Sequence, residues 1–195
     1  MRDLTLDFTA GAVAHRMKFG GGRQQDLPRA AGMKNGFNPV IVDATAGLGR
    51  DAFLLASLGA TVTLIERSKR MHSLLADAMH RAASQPETSE IIARMTLVFG
   101  DAKTILPRLN PEIILVDPMH PPRQSSALVK LEMRQIRDIV GPDQDALDLM
   151  KIALETATNR VVLKWPRKAV PMAGLKQFSH QILGKSTRYD VFMCI

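Results

Sequence analysis

The sequence predicts an α/β protein built on a doubly wound, mostly parallel sheet, and three observations carry that prediction. Short strand-like runs, two of them wholly apolar, end repeatedly in an acid: Val40-Ile41-Val42-Asp43, Thr61-Val62-Thr63-Leu64-Ile65-Glu66 and Ile113-Ile114-Leu115-Val116-Asp117. Such runs mark parallel strands covered on both faces. Amphipathic segments of helical period separate them, so strand and helix alternate along the chain. Lys176–Leu183 and Thr187–Cys194 about Gly184-Lys185 then read as a hairpin, which places antiparallel pairing at the end of the sheet.

Taken in order, residues 4–8 (Leu-Thr-Leu-Asp-Phe) alternate as a short strand. A basic segment around three glycines follows: Ala14-His15-Arg16-Met17-Lys18-Phe19-Gly20-Gly21-Gly22-Arg23. Its amides beside Arg16, Lys18 and Arg23 suit either a phosphate or a solvated connector. A short helix near 24–31 leads to strand 40–44, helix 50–58, strand 61–66, helix 69–84, strand 95–99, helix 102–108 and strand 112–117. Ser125 or Ser126 caps a helix that runs to Val140 and stops at Gly141-Pro142. In it Val129, Met133, Ile136 and Val140 share one face, and Lys130, Arg134 and Arg137 make a basic stripe on another. A helix over 144–157 and strand 160–164 precede the hairpin. Trp165-Pro166-Arg167-Lys168 sets an aromatic beside two cations, an arrangement suited to stacking on a base or to a partly buried loop. The expected organisation is a single globular unit, with a basic, Gly-rich segment at 1–36 packed on a core domain at 37–195.

A length of 195 residues, 46% hydrophobic and 23% charged, is ordinary for one folded domain. No apolar stretch approaches membrane-spanning length, and Met1-Arg2-Asp3-Leu4 opens no signal-peptide core, so a cytoplasmic location is expected. Cys194 is the single cysteine, which leaves no internal disulfide and no Cys-rich metal site. The five histidines (15, 72, 80, 120 and 180) show no ligand spacing, and no metal is expected. Net charge is +7, divided as +3 over residues 1–40, −1 over 41–117 and +5 over 118–195. A neutral centre with basic flanks points to a polyanionic partner more than to solvated faces alone.

In open α/β sheets, ligands bind at the carboxyl edge of the strands. Asp117-Pro118-Met119-His120 stands at such an edge, where Pro118 has no N–H and leaves carbonyl acceptors for a ligand amino group. The turn after Asp43 holds Gly47 and Gly49 at a helix start, and Glu66 ends the next strand, the usual place to hold ribose hydroxyls. Asp101 follows Leu97-Val98-Phe99-Gly100 as a further strand-end acid. Gly47-x-Gly49-x-x-Ala52 also fits a dinucleotide fingerprint, so NAD competes with S-adenosylmethionine (SAM) here. Asp43 would repel a pyrophosphate, whereas an adenosyl sulfonium carries no phosphate. SAM is therefore the expected cofactor.

The element order matches class I SAM-dependent methyltransferases, whose Rossmann-like seven-stranded sheet takes its last strand antiparallel. More closely, the chain resembles the bacterial small-subunit ribosomal RNA guanine-N2 methyltransferase family called RsmJ. The resemblance is carried by Ala14-His15-Arg16, Lys18–Arg23, Asp43–Phe53, Glu66-Arg67, Asp117-Pro118-Met119, Ser126–Lys130, Glu132-Met133-Arg134 and Val140–Asp143, and it covers nearly the whole chain. It implies methyl transfer from SAM to the exocyclic N2 of guanosine 1516 in 16S rRNA, on free RNA or the small ribosomal subunit. It also implies cofactor contacts at Arg50, Asp51, Glu66, Arg67, Asp101, Ala102 and Asp117, beside Asp43, Gly47 and Gly49 from the reading above. Relatives resemble Asp-Pro-Met-Phe/Tyr-Pro-His, whereas His120, Pro121 and Pro122 follow Met119 here. They usually carry a further segment ahead of the basic glycine stretch, and this chain starts almost at that stretch.

On this reading Asp117 and the Pro118 carbonyl accept the amino hydrogens, and His120 supplies the stacking surface in place of the aromatic. Arg16, Lys18, Arg23, Lys130 and Arg134 grip phosphates. The alternatives are a methyltransferase on another planar amine (adenine N6 or protein glutamine), an NAD-dependent oxidoreductase, and a non-catalytic RNA-binding module.

Overall fold

The computed structural model describes residues 6–10, 15, 20–34, 36–119 and 144–194. The helix expected to end at Val140, together with Arg16, Lys18, His120, Lys130 and Arg134, lies outside them. Seven strands form one sheet: β1 (Val40–Asp43), β2 (Thr61–Glu66), β3 (Met95–Phe99), β4 (Ile113–Val116), β5 (Arg160–Pro166), β6 (His180–Leu183) and β7 (Thr187–Met193). Their spatial order is β3-β2-β1-β4-β5-β7-β6. Strands β1 to β5 pair in parallel, and β7 is antiparallel to both β5 and β6. The order reverses at β1/β4, which is where the strand-end acids Asp43 and Asp117 stand.

All four residues of β4 are buried, because alternate side chains feed two separate cores. Ile41, Leu64, Ile113 and Leu115 pack on one face against α1 (Asp26–Ala30), α2 (Arg50–Ser57) and α3 (Lys69–Ala83), through Leu27, Phe53, Met71 and Leu75. Val42, Ile65, Ile114 and Val116 pack on the other against α5 (Ala102–Leu109) and α6 (Ala146–Thr156), through Leu106, Met150 and Ala153. Burial on both faces is why these strands read as unbroken apolar runs.

Three elements differ from the sequence reading. Residues 6–8 form no strand: Leu6 and Phe8 are buried as two anchors of an irregular strap. Phe8 stacks on Phe53 of α2 with ring centroids 4.7 Å apart, and Arg81 donates to the Leu6 carbonyl at 2.7 Å. Alternation there reflects two side chains plugged into a core, with no ladder involved. A one-turn helix, α4 (Ser89–Ile92), was not expected; it starts where the buried Thr88 hydroxyl donates to the Ala82 carbonyl at 2.6 Å. The first arm of the hairpin is also shorter than expected: β6 starts at His180, residues 176–178 precede it in irregular backbone, and Ser179 N–H donates to the Val191 carbonyl of β7 at 2.8 Å.

Candidate active site at the carboxyl edge of the sheet

A cavity of about 330 Å³ opens where β1, β2, β4 and β5 end. Its lining includes Asp43, Gly47, Arg50, Asp51, Glu66, Arg67, Asp101, Ala102, Asp117, Pro118 and Lys164. Except for Lys164, these are sequence-predicted residues, and the structure gathers them around one volume. Gly49 is the exception, lying under the turn and against the core.

Gly47 (φ 51°) and Gly49 (φ 65°) both take the left-handed conformation that L side chains resist. Their surroundings differ. A Cβ on Gly49 would lie 2.8 Å from Leu75 Cδ1 and 3.3 Å from Phe8, whereas one on Gly47 would meet only the Thr45 carbonyl at 3.7 Å. The turn's amides are used internally. Gly47 N–H donates to Glu66 Oε2 at 2.9 Å, Ala46 N–H to the Ile65 carbonyl at 3.1 Å, and Gly49 N–H to the Ala46 carbonyl at 2.7 Å. Ser68 N–H meets the other Glu66 oxygen at 2.7 Å. A pyrophosphate would need amides of this kind, so their engagement by Glu66 and by backbone carbonyls weighs against a dinucleotide. The acidic lining suits a cationic ligand without phosphate, which is the chemistry of SAM.

Asp43 closes β1 at 3% exposure, and its Oδ1 accepts Thr45 N–H at 3.1 Å. Burial pushes its carboxyl up to about 7. The Thr45 amide and the Lys164 ammonium oppose that shift, while the Asp51 and Asp117 charges add to it. Asp117 is tied to the glycine turn through its backbone, because its N–H donates to Thr45 Oγ1 at 2.7 Å. Two segments 72 residues apart in sequence are thereby locked together at the cavity wall.

Lys164 is the functional residue that sequence reasoning missed. The β4/β5 register pairs Val116 with Leu163, which sets Lys164 beside Asp117. Its Nζ lies 2.6 Å from Asp117 Oδ2 and 2.6 Å from Asp51 Oδ2. Burial alone would depress this ammonium, but the Asp117 and Asp51 carboxylates outweigh it and hold the lysine well above its ordinary range. The only signal in the sequence was a lysine ending an apolar strand, and without the register it had no partner.

At the rim, Asp145 joins two cations: Lys103 Nζ at 2.5 Å and Arg67 Nη1 at 2.9 Å. The Lys103 hydrogen bond, aided by Arg67, holds the Asp145 carboxyl down at about 2 against partial burial. Asp101 accepts Lys103 N–H at 2.9 Å and caps α5. Neither Lys103 nor Asp145 had been singled out from the sequence.

Arg23 corrects the expected phosphate grip. Its guanidinium donates to the Phe37 carbonyl at 2.8 Å and to the Leu58 carbonyl at 2.7 Å, and it also meets Asn38 Oδ1. It ties the loops that enter β1 and β2, at the sheet edge opposite the cavity. Its donors therefore serve the fold. Among the described residues no group of His, Cys, Asp and Glu could hold a metal ion, and no helix is long and apolar enough to cross a membrane.

This strand order, with acids at the ends of β1, β2 and β4 around one pocket, defines a class I SAM-dependent methyltransferase. A family model described as "Putative SAM-dependent methyltransferase" matches residues 1–194. The ribosomal RNA small subunit methyltransferase J of Brucella anthropi is 64% identical over 192 residues, covering 98% of this chain and 94% of that protein. The protein of the same name from Agrobacterium fabrum is 59% identical, over 96% of this chain and 91% of its own length. The chain belongs to this ribosomal RNA small subunit methyltransferase J family. A crystal structure of a SAM-dependent methyltransferase from Neisseria gonorrhoeae superposes with a TM-score of 0.75 at 38% identity, over 99% of this chain and 75% of that one. Magnesium protoporphyrin IX methyltransferase from Synechocystis, crystallised with bound SAM, shares the fold at 15% identity and a TM-score of 0.54, over 95% and 85% of the two chains.

Proposed function

We propose that this protein methylates the exocyclic N2 of a guanosine in small-subunit ribosomal RNA. The name of its relatives supports the RNA, and the chemistry of the Asp117-Pro118 edge supports a planar amine. The observation that carries the reading is the position of Asp117, which lines the same cavity as Asp43 and Glu66 while tied to Thr45 and Lys164.

SAM supplies an electrophilic methyl group on a sulfonium when bound. Glu66 would hold its ribose hydroxyls, and Asp43, Arg50, Asp51, Arg67, Asp101 and Ala102, which line the same cavity, would complete the contacts. The guanine amino lone pair is delocalised into the ring and is a poor nucleophile. Asp117 and the Pro118 carbonyl accept its two N–H bonds, which orients the lone pair out of the ring plane. Lys164 fixes the Asp117 carboxylate while that happens. Rate enhancement comes from alignment and a fixed electrostatic field, and the carboxylate takes the amine proton late. The base must leave its stack to reach this edge, with His120 as the flat partner. Arg16, Lys18, Lys130 and Arg134 remain the proposed phosphate contacts.

Nucleoside mass spectrometry of small-subunit RNA, from a strain lacking the gene and treated with enzyme and SAM, tests this. N2-methylguanosine is the expected product. Methyladenosine, or methylation only of added protein, would replace it with the adenine or glutamine reading.

A further inference from the structure

We infer that the turn after β5, together with the tip of the β6–β7 hairpin, is a preformed platform for the RNA backbone, gripping phosphates next to the target nucleotide. This rests on RNA being the substrate. Because β7 runs antiparallel to β5, Pro166 pairs with Thr187, so the hairpin tip and the β5 exit share the sheet edge that carries Asp117. Arg167 and Lys168 stand on one of these loops and Lys185 on the other, and all three are exposed. Arg167 joins the loops directly: its N–H donates to the Ser186 carbonyl at 3.0 Å and its Nη1 to the Gly184 carbonyl at 2.7 Å. Asp26, the acid packed against Gly184, is countered by Arg29 at 3.6 Å.

What distinguishes this patch from an ordinary solvated face is its scaffold. Arg188, 5% exposed, directs Nη1 at the carbonyls of Pro166, Arg167 and Ala169, at 3.2, 3.1 and 2.6 Å. Asp190, 2% exposed, orients that guanidinium by accepting Nε at 3.0 Å. Trp165 Nε1 donates to the Val170 carbonyl at 2.9 Å and closes the turn. A buried ion pair thus shapes a five-residue turn that presents Arg167 and Lys168 outward beside the exposed Val170. Buried charge is costly unless it is paired; Asp190 pairs this one, and three of the guanidinium's hydrogen bonds fix the geometry of that turn. Lys168 follows Lys164 by four residues, so their Cα atoms are at most about 14 Å apart. That distance keeps the platform within a few nucleotides of the base held at Asp117. A single strand with one base splayed into the cavity would lay its flanking phosphates over this edge.

The test compares wild type with the triple variant Arg167→Gln/Lys168→Ala/Lys185→Ala, measuring binding to deproteinised small-subunit RNA over a salt series. Arg108→Ala, a cation on the last turn of α5 before the opposite sheet edge, serves as the control. The triple variant should bind RNA about tenfold more weakly, with a log–log salt slope shallower by about 2, since each lost phosphate contact removes about 0.7–0.9. Its SAM affinity by calorimetry, which reports an intact fold, should match wild type. An unchanged slope in the triple variant, or an equal loss in Arg108→Ala, would overturn the platform. Wild-type protein that binds RNA but yields no methylguanosine would instead overturn the proposed reaction and leave the platform standing.

Discussion

Lys164 of β5 and Asp117, the residue that follows β4, meet at 2.6 Å, and the same ammonium reaches Asp51 on α2 at 2.6 Å. One cation therefore sets the position of two carboxylates on different elements of the cavity wall. Replacing Lys164 by Met removes the ammonium that both acids share, and with it the contact that fixes the Asp117 carboxylate on this side. We expect kcat to fall roughly 100-fold. Lys164→Arg, which keeps the charge at altered geometry, should recover part of that loss. Steady-state methylation by both variants, with melting temperatures as a control for folding, checks this.

Asp43 provides a pH dependence with a defined sign. Burial raises its carboxyl from 3.8 to about 7, so between those values the folded protein holds a proton that the unfolded chain releases. This group's contribution to stability is therefore complete below pH 4 and lost as pH rises toward 7. Asp43→Asn keeps the acceptor for Thr45 and removes the titration. Its melting temperature should exceed that of wild type at pH 8, with the gap closing toward pH 4.

The same carboxyl couples cofactor binding to protons. A cationic ligand beside Asp43 favours the ionised form, so binding SAM at pH 7 should release protons. Calorimetry in two buffers of different ionisation enthalpy should give different apparent heats for wild type. For Asp43→Asn the two heats should converge.

Arg23 separates fold from RNA contact. Arg23→Ala removes donors from the Phe37 and Leu58 carbonyls and from Asn38. Stability should fall by about 1–3 kcal/mol, measured by denaturant titration. The salt slope of RNA binding should stay at the wild-type value, because the guanidinium serves the loops.

Gly47 and Gly49 should respond differently to alanine. At Gly49 the left-handed backbone and the 2.8 Å approach to Leu75 act together, and destabilisation of about 2–4 kcal/mol is expected. At Gly47 only the backbone cost of about 1–2 kcal/mol applies. Thermal melts of the two variants should rank them in that order.

The sheet was readable from the sequence because burial on both faces leaves an uninterrupted apolar signature at β1 and β4, and β2 closes in the apolar pair Leu64-Ile65 before its acid. The strand-end acids were readable for the same reason, as each interrupts such a run. Residues whose meaning lies in register were not. Lys164 gains its role only when β5 is aligned with β4, and Asp145 only when α6 is brought to Arg67 and Lys103. Arg23 was misread because its charge was visible while the carbonyls that occupy it are 14 and 35 residues away. At residues 6–8, a period of two arose from a pair of core anchors and imitated a strand.

The interior position of β7 bears on how the molecule is made. Five of its seven residues are buried, and it lies between β5 and β6, yet it follows all the other strands in chain order. Until it arrives, β5 presents an open row of amides and carbonyls, and β6 has nothing to pair with. A growing polypeptide can assemble the parallel half early, but it carries a sticky flank until the final segment zips in. Nascent chains stalled before residue 187 should therefore aggregate or recruit chaperones, and those extended past 193 should not.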